Sequence, residues 1–167
     1  MSEFVKPRPI FPKRAVVTSG MPYGNKLLHY GHVGMTLRAD IFARFLRDRI
    51  GKDNVIFVSG TDCYGSPAME SYRSLKEKGE LANETIEQYI EKNHIKQKEI
   101  FEKFEIGFNL YGASALGRSG EIHKDTSNYF INRLNQQHVL SKHSSLQFFD
   151  KKCNCLLNGR QVVGKCP

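Results

Sequence analysis

The chain has 167 residues, 40% of them hydrophobic and 25% charged, so it is long enough for one globular domain with its own core. It has no apolar run near the ~18 residues that a membrane-spanning helix needs, and its first residues lack the apolar core of a signal peptide. These features exclude a membrane partner and predict a cytoplasmic protein.

The formal net charge of +8 suits a polyanionic partner, because clustered lysines and arginines attract phosphates. A solvated basic surface explains the same charge equally well, because lysines and glutamates alternate along two predicted helices. These residues are Lys76, Glu77, Lys78, Glu80, Glu91, Lys92, Lys96, Lys98, Glu99, Glu102, Lys103 and Glu105. The charge alone therefore favours no particular lysine as a phosphate ligand.

The first predicted elements are a strand and an amphipathic helix. Prolines within residues 1–13 indicate an extended lead-in, and the β-branched segment 14–19 predicts the strand. The proline-free segment from about 33 to 50 has helical spacing. Its apolar face consists of Leu37, Ile41, Phe42 and Phe45. Its polar face consists largely of Arg38, Arg44, Arg47 and Asp48.

A second strand is predicted over residues 54–59 and is followed by two further helices. Ser66 is expected to cap the first of them, with Pro67 at its first position and Gly79 ending it. Asn83 is expected to cap the next, which ends near residue 104. The later predicted elements are a strand over 108–111, a helix over 119–138 and two short β segments at 139–140 and 146–149.

The loop between the first strand and its helix contains the tetrapeptide His29-Tyr30-Gly31-His32. At such a strand-to-helix turn, free backbone N–H groups and the positive end of the helix dipole favour bound phosphate. Two imidazoles three residues apart in the first turn can both point at that phosphate. Gly31 between them would let a flat nucleotide base lie against the backbone. This pattern predicts phosphate chemistry.

The second strand is followed by a comparable loop, Gly60-Thr61-Asp62-Cys63-Tyr64-Gly65. Because strands and helices alternate, the sequence predicts an α/β protein: the first half of a Rossmann-type, doubly wound parallel sheet with right-handed crossovers. Ligands of such sheets bind at the carboxyl ends of the strands. Both loops are expected at that edge.

Residues 19–32 resemble the signature loop of class I aminoacyl-tRNA synthetases, and the start Pro22-Tyr23-x-Asn25 is most similar to the methionyl-tRNA synthetase family. Residues 60–65 resemble the Gly-Thr-Asp-x-x-Gly loop of the same family. The resemblance runs over essentially the whole chain. It implies ATP-dependent activation of methionine to methionyl-adenylate, with magnesium as the phosphate counter-ion, and transfer of the methionyl group to tRNA.

The resemblance also implies that part of the enzyme is missing. In the family, the second half of the Rossmann fold carries a Lys-Met-Ser-Lys-Ser loop that holds the ATP phosphates, and a helical domain reads the anticodon. Residues 14–150 are then the N-terminal half of the catalytic domain, and 151–167 the start of a connective domain, truncated at Cys166-Pro167, where a zinc knuckle begins. The chain is expected to be inactive alone and to partner the missing C-terminal half.

Cysteine spacing predicts no metal site within the chain. The cysteines are Cys63, Cys153, Cys155 and Cys166. Without a secretion signal, disulfides are the weaker interpretation. Cys153 and Cys155 are closer together than the usual zinc pattern requires, and no fourth ligand is evident. Zinc is therefore expected only in the connective domain of the complete enzyme.

The resemblance assigns ATP binding to residues of the first loop. His29 and His32 would donate hydrogen bonds to phosphate oxygens as charge builds in the transition state, with no covalent role. Asn25 would add a side-chain donor, and Lys26 a cation beside the triphosphate. Gly31 would make room for the base.

The resemblance assigns methionine binding to three residues. Met21 would offer main-chain groups and an apolar surface, and Tyr23 would pack on the thioether side chain. Asp62 would pair with the α-ammonium group. Taken singly, Met21 could equally fill the core, Tyr23 close a turn and Asp62 cap a helix.

Three positions depart from the family pattern. Lys26 replaces a small residue, Cys63 a frequent acidic residue, and Tyr30 an isoleucine or leucine. These differences keep two alternatives open. One is a related class I enzyme or nucleotidylyltransferase that acts on another substrate, and the other is a non-catalytic module that binds nucleotide or tRNA.

Overall fold

The computed structural model describes residues 10–81, 83–151 and 155–157. In chain order the elements are β1 (Ala15–Thr18), α1 (Tyr30–Ile50), a 3-10 turn (Lys52–Asn54), β2 (Val55–Thr61), α2 (Ser66–Glu77), α3 (Ile86–Lys103), β3 (Leu110–Ala113), α4 (Gly117–Gln136), β4 (Phe148–Asp150) and β5 (Cys155–Leu157). Two compact units divide the chain, Met1–Asn128 and Tyr129–Pro167. Within the described ranges, no helix combines the length and apolarity needed to cross a bilayer.

The first unit contains a three-stranded parallel sheet in the order β1-β2-β3. Its core forms where β-branched and aromatic side chains of the strands meet α1 and α3 on one face. The buried members are Val17, Ala43, Leu46, Val55, Phe57, Phe101 and Ile106. Sequential parallel strands with helices on the same face are what right-handed crossovers produce. The predicted α/β class and parallel sheet are confirmed.

The other face of this sheet carries exposed apolar side chains. Val16 lies beside Ile56 in the register of β1 and β2, and Leu110 of β3 lies beside Val58. Val16, Ile56 and Leu110 are all exposed. Strand side chains alternate between faces, so these residues point away from the core. We call Val16, Ile56 and Leu110 the open sheet face.

The apolar stripe of α1 is not its buried side. Leu37, Ile41, Phe42 and Phe45 are between 39 and 60% exposed. The buried residues of α1 are Thr36, Asp40, Ala43 and Leu46. The reason is a polar attachment to the turn before β3, in which Asp40 Oδ1 accepts the N–H of Gly107 at 2.8 Å and Arg47 donates to its carbonyl at 3.0 Å. These hydrogen bonds hold inward the side of α1 that carries its four buried residues.

Two helices begin at positions that the sequence did not predict. α1 starts at Tyr30, three residues early, because the His29 side chain accepts a hydrogen bond from the Gly31 backbone. α2 has Gly65 as its N-cap, at φ +105°, so Ser66 and Pro67 are its first two residues. The predicted capping role of Ser66 is therefore wrong by one position.

The cap of α3 is Thr85 rather than Asn83. The Thr85 hydroxyl accepts the N–H of Gln88 at 3.3 Å, and Gln88 Oε1 accepts the N–H of Thr85 at 2.9 Å. This reciprocal capping box satisfies two N–H groups at once, which a lone asparagine two residues earlier cannot do.

The later boundaries also shift. β3 begins two residues later than predicted and α4 two residues earlier, and residues 139–140 form no strand. β4 and β5 form an antiparallel hairpin in the second unit; β5 was not predicted. Residues 1–9 of the expected lead-in lie outside the described residues, as do Cys153 and Cys166 of the zinc prediction.

Replacing Asp40 by alanine should destabilise the first unit. The carboxylate is 2% exposed and holds the Gly107 N–H, so its loss should lower the free energy of unfolding by about 1.5 to 3 kcal/mol. The exposed Asp48→Ala on the same helix is the control and should change it by less than about 0.5 kcal/mol. Urea unfolding followed by circular dichroism measures the free energy of unfolding of both variants. Equal losses would show that the hydrogen bond between Asp40 and Gly107 does not stabilise the unit.

Candidate active site

The two predicted loops meet at the carboxyl edge of the sheet. Past the strand ends, an isolated parallel bridge joins Tyr23 to Asp62, displaced by one residue from the register of β1 and β2. The Asp62 N–H donates to the carbonyl of Pro22 at 2.8 Å, and the Gly24 N–H donates to the carbonyl of Asp62 at 2.8 Å. The first and second loops are therefore held together by their backbones.

His29 and His32 form the first turn of α1. His29 Nδ1 accepts the N–H of Gly31 at 3.1 Å, and His32 Nδ1 accepts the N–H of His29 at 3.3 Å. The ring centroids are 3.8 Å apart. A neutral imidazole whose Nδ1 accepts carries its proton on Nε2. In the described part of the chain neither Nε2–H has a partner, so both can donate to a ligand at the helix N-terminus.

The surroundings of His32 favour its neutral form. Burial of the ring lowers the pKa of His32 below its usual value, and the nearby charges of His29 and Lys26 lower it further. A neutral ring keeps its acceptor nitrogen for the helix cap and its donor nitrogen for a ligand.

Gly31 has a structural role besides the predicted one. A Cβ at this position would lie 3.0 Å from His29 Cε1 and 3.1 Å from His29 Nδ1. Such contacts are tighter than side chains normally accept, so the capping position of the His29 ring depends on the glycine. Space for a nucleotide base stays a prediction.

Asn25 and Lys26 differ in where their side chains lie. Asn25 Nδ2 donates to Ser71 Oγ at 3.1 Å and to the Pro67 carbonyl at 3.5 Å, so its amide faces α2. Its predicted contact with phosphate would require the amide to leave these partners. Lys26 is exposed, and its charge reaches His32.

The predicted methionine-binding residues lie on both loops. Met21 and Tyr23 are each 46% exposed. Asp62 follows β2 directly and is half-buried, and its Oδ1 accepts the N–H of Tyr64 at 3.1 Å. Among the ion pairs of the described residues, none involves Asp62. Within ranges 10–81, 83–151 and 155–157, its carboxylate therefore pairs with no cation.

Sequence reasoning missed the contribution of α3. Three of its polar side chains, Tyr89, Asn93 and Gln97, contact the backbone of residues 23–26. The sequence offers one indication of this role: the three residues are spaced four apart, which puts them on one face of a helix. The acceptors are backbone carbonyls, which no sequence pattern reveals.

The free energy of unfolding should fall as the pH decreases from about 7.5 to 5.5. The pKa of His32 is lowered in the folded state, so the unfolded chain binds more protons in this window and acid favours unfolding. Burial and Lys98 lower the pKa of His94 as well, with the same sign. His32→Gln should reduce the pH dependence measured by urea unfolding, whereas His143→Gln, at an exposed position, should leave it intact. An undiminished dependence in His32→Gln would contradict this account.

The chain is similar in sequence to known proteins. The methionine–tRNA ligase of Cytophaga hutchinsonii is 34% identical over 157 residues, which cover 93% of this chain and 21% of that protein. The methionine–tRNA ligase of Thermococcus onnurineus is 38% identical over 155 residues, covering 92% of this chain and 19% of that protein. The chain thus spans about one fifth of the length of these curated relatives.

A solved structure shares the fold. The crystal structure of Mycobacterium tuberculosis methionyl-tRNA synthetase bound by methionyl-adenylate matches with a TM-score of 0.53 at 24% identity, covering 62% of this chain and 19% of that one. The model of the family described as tRNA synthetases class I (M) matches residues 15–167. The resemblance inferred from residues 19–32 and 60–65 is confirmed, and the chain belongs to the family of class I tRNA synthetases (M).

Proposed function

We propose that this chain supplies the first part of a site that activates methionine with ATP and transfers it to tRNA. In the first step the methionine carboxylate attacks the α-phosphorus of ATP, the bond to the β-phosphate oxygen breaks, and pyrophosphate leaves. The observation that carries the proposal is the backbone bridge between Tyr23 and Asp62, which joins the first loop, with its paired histidines, to the second loop, with its carboxylate. The methionine–tRNA ligase relatives support the choice of amino acid.

The phosphate side of the proposed site consists of the first turn of α1. His29 and His32 donate from Nε2 to phosphate oxygens, and the N-terminal N–H groups of the helix favour the same negative charge. Since the rings are fixed by their caps before ligand binds, little reorganisation is needed as charge develops. Lys26 adds a cation, and the face of Gly31 receives the nucleotide.

The amino-acid side consists of Asp62, Tyr23 and Met21. An α-ammonium group is a strong donor, and the unpaired carboxylate of Asp62 is the matching acceptor. The exposed faces of Tyr23 and Met21 give an apolar surface for a thioether side chain.

A magnesium ion would enter this site with the nucleotide. Within the described residues, no group of three His, Cys, Asp or Glu side chains is placed to hold a metal ion. Magnesium commonly binds through substrate phosphates and keeps several waters. The ion would supply charge neutralisation on the phosphates, while the histidines position them.

We also propose that the site is completed by further polypeptide. The open sheet face leaves Val16, Ile56 and Leu110 exposed, and among the residues that the structure describes β1 pairs with β2 alone. Parallel sheets in α/β proteins are ordinarily covered on both faces. The partner is the remaining part of a synthetase catalytic domain, and the net charge of +8 suits tRNA.

Asp62→Asn should weaken methionine binding more than ATP binding. The change keeps the shape but removes the charge that meets the ammonium group, so methionine binding should lose about 1.5 to 3 kcal/mol. Asp53→Asn, before β2 at the other end of the sheet, is the matched control. Titrations followed by NMR give both affinities. Equal losses for both ligands would indicate a structural role, and ATP binding without methionine binding in the unchanged chain would favour a nucleotide-binding module.

The 167-residue chain should bind ATP weakly and should catalyse no methionine-dependent exchange between ATP and pyrophosphate. A triphosphate in its transition state needs hydrogen-bond donors on more than one side. The described residues supply one such set, at the helix N-terminus with the paired histidines, so we expect no catalysis. Radiolabelled pyrophosphate incorporation is the measurement. Exchange by the purified chain above that of His29→Ala would overturn the proposed incompleteness.

A further inference from the structure

We propose that helix α3 positions the substrate-binding loop, with Tyr89, Asn93 and Gln97 acting as positioning residues. We call these three side chains the α3 clamp. The inference rests on the proposed function in one respect, that residues 23–26 border the substrates. The clamp itself is argued from hydrogen bonds and burial.

Four successive backbone carbonyls of the loop accept hydrogen bonds from the α3 clamp. Gln97 Nε2 donates to two of them and each of the other side chains to one. The acceptors are the carbonyls of Tyr23 (2.9 Å from Gln97 Nε2), Gly24 (3.0 Å from Asn93 Nδ2), Asn25 (bonded by the Tyr89 hydroxyl) and Lys26 (2.9 Å from Gln97 Nε2). A run of consecutive carbonyls turned to one side fixes the path of the chain, because each residue has lost its freedom to rotate.

Gln97 links this loop to the end of β2. Its Oε1 accepts the Thr61 hydroxyl at 2.8 Å and the Tyr111 hydroxyl at 3.1 Å, so all its hydrogen-bonding capacity is used. Gln97 and Thr61 are fully buried. Since Thr61 directly precedes Asp62, one amide sets the distance between the loop and the carboxylate that would hold the ammonium group.

The orientation of the Gln97 amide follows from its partners. Backbone carbonyls only accept, so the NH₂ group must face Tyr23 and Lys26 and the oxygen must face the hydroxyls. The Thr61 hydroxyl gives its single proton to Gln97, so His94 Nδ1, at 2.8 Å from Thr61 Oγ1, carries a proton and donates to it. A buried network with every member satisfied specifies one geometry.

The α3 clamp is separable from the core packing of α3. Phe101 supplies the helix's contact with the main core, and Ile90 and the Tyr89 ring pack in the cluster beside α2, so within the clamp only the polar groups are tested. Tyr89→Phe removes one hydroxyl and keeps the ring. Gln97→Glu keeps the shape but replaces the two N–H donors by an oxygen. These variants can loosen the loop while the sheet remains folded.

Amide hydrogen exchange tests the clamp without any ligand. The Gly24 and Asp62 amides report the bridge between the loops, and the Phe57 amide, bonded to Asn109 Oδ1, reports the sheet. In Tyr89→Phe and Gln97→Glu, protection of Gly24 and Asp62 should fall about tenfold more than protection of Phe57. Leu46 belongs to the main core, so Leu46→Ala should destabilise the whole unit and lower hydrogen-exchange protection at all three amides by similar factors. Equal losses at the three amides in both clamp variants would overturn the proposal.

Binding measurements connect the clamp to the substrates. ATP and methionine should each bind about threefold to tenfold more weakly to Tyr89→Phe than to the unchanged chain, because a smaller fraction holds the binding geometry. Lys96→Gln, an exposed change on the same helix, should bind both as before. Suppose that the unchanged chain binds neither ligand, but the clamp variants still lose more hydrogen-exchange protection at Gly24 and Asp62 than at Phe57. The clamp then stands and the proposed function fails. Suppose instead that the unchanged chain binds both ligands, and that Tyr89→Phe shows neither the selective loss of hydrogen-exchange protection nor weaker ligand binding. The clamp then fails and the proposed function stands.

Discussion

The candidate active site depends on a parallel bridge beyond the ends of β1 and β2. Strand pairing fixes relative position to within one residue, because a slip would turn every side chain to the opposite face. The bridge between Tyr23 and Asp62 adds a backbone attachment beyond the strands, displaced by one residue from the register in which Thr18 pairs with Val58. Loops usually vary in position, whereas these two are held to each other by backbone hydrogen bonds. Helix α3 then fixes the outer part of the first loop by binding its carbonyls.

Sequence features that act locally were sufficient to predict the order of strands and helices from β1 to α4 and the two loops. The tetrapeptide from His29 to His32 lies between a β-branched segment and a helical one, and those neighbours alone indicate a strand-to-helix turn. The same holds for residues 60–65 after β2. The fold class follows, since alternating strands and helices have one common arrangement. The functional roles of the individual residues remain predictions.

Features that depend on distant partners could not be predicted. The buried side of α1 is decided by Asp40 and the N–H of Gly107, 67 residues later, so the apolar stripe misleads. Gln97 contacts carbonyls 71 and 74 residues away, and a backbone carbonyl carries no signature of its own. Thr85 displaced Asn83 as a cap because Gln88 could return a hydrogen bond. In each case a tertiary or reciprocal contact outweighed intrinsic preference.

The histidine turn limits which residues evolution can place there. At His29, serine or aspartate could cap the helix, and lysine could meet a phosphate. Histidine has its acceptor and donor at separate positions of a rigid ring, so one side chain can serve both purposes at once. Under the proposed function, serine would keep the cap and lose the phosphate donor, and lysine would keep a phosphate contact and lose the cap. Selection for a well-formed helix and selection for phosphate binding would then act on the same side chain through its two different nitrogens.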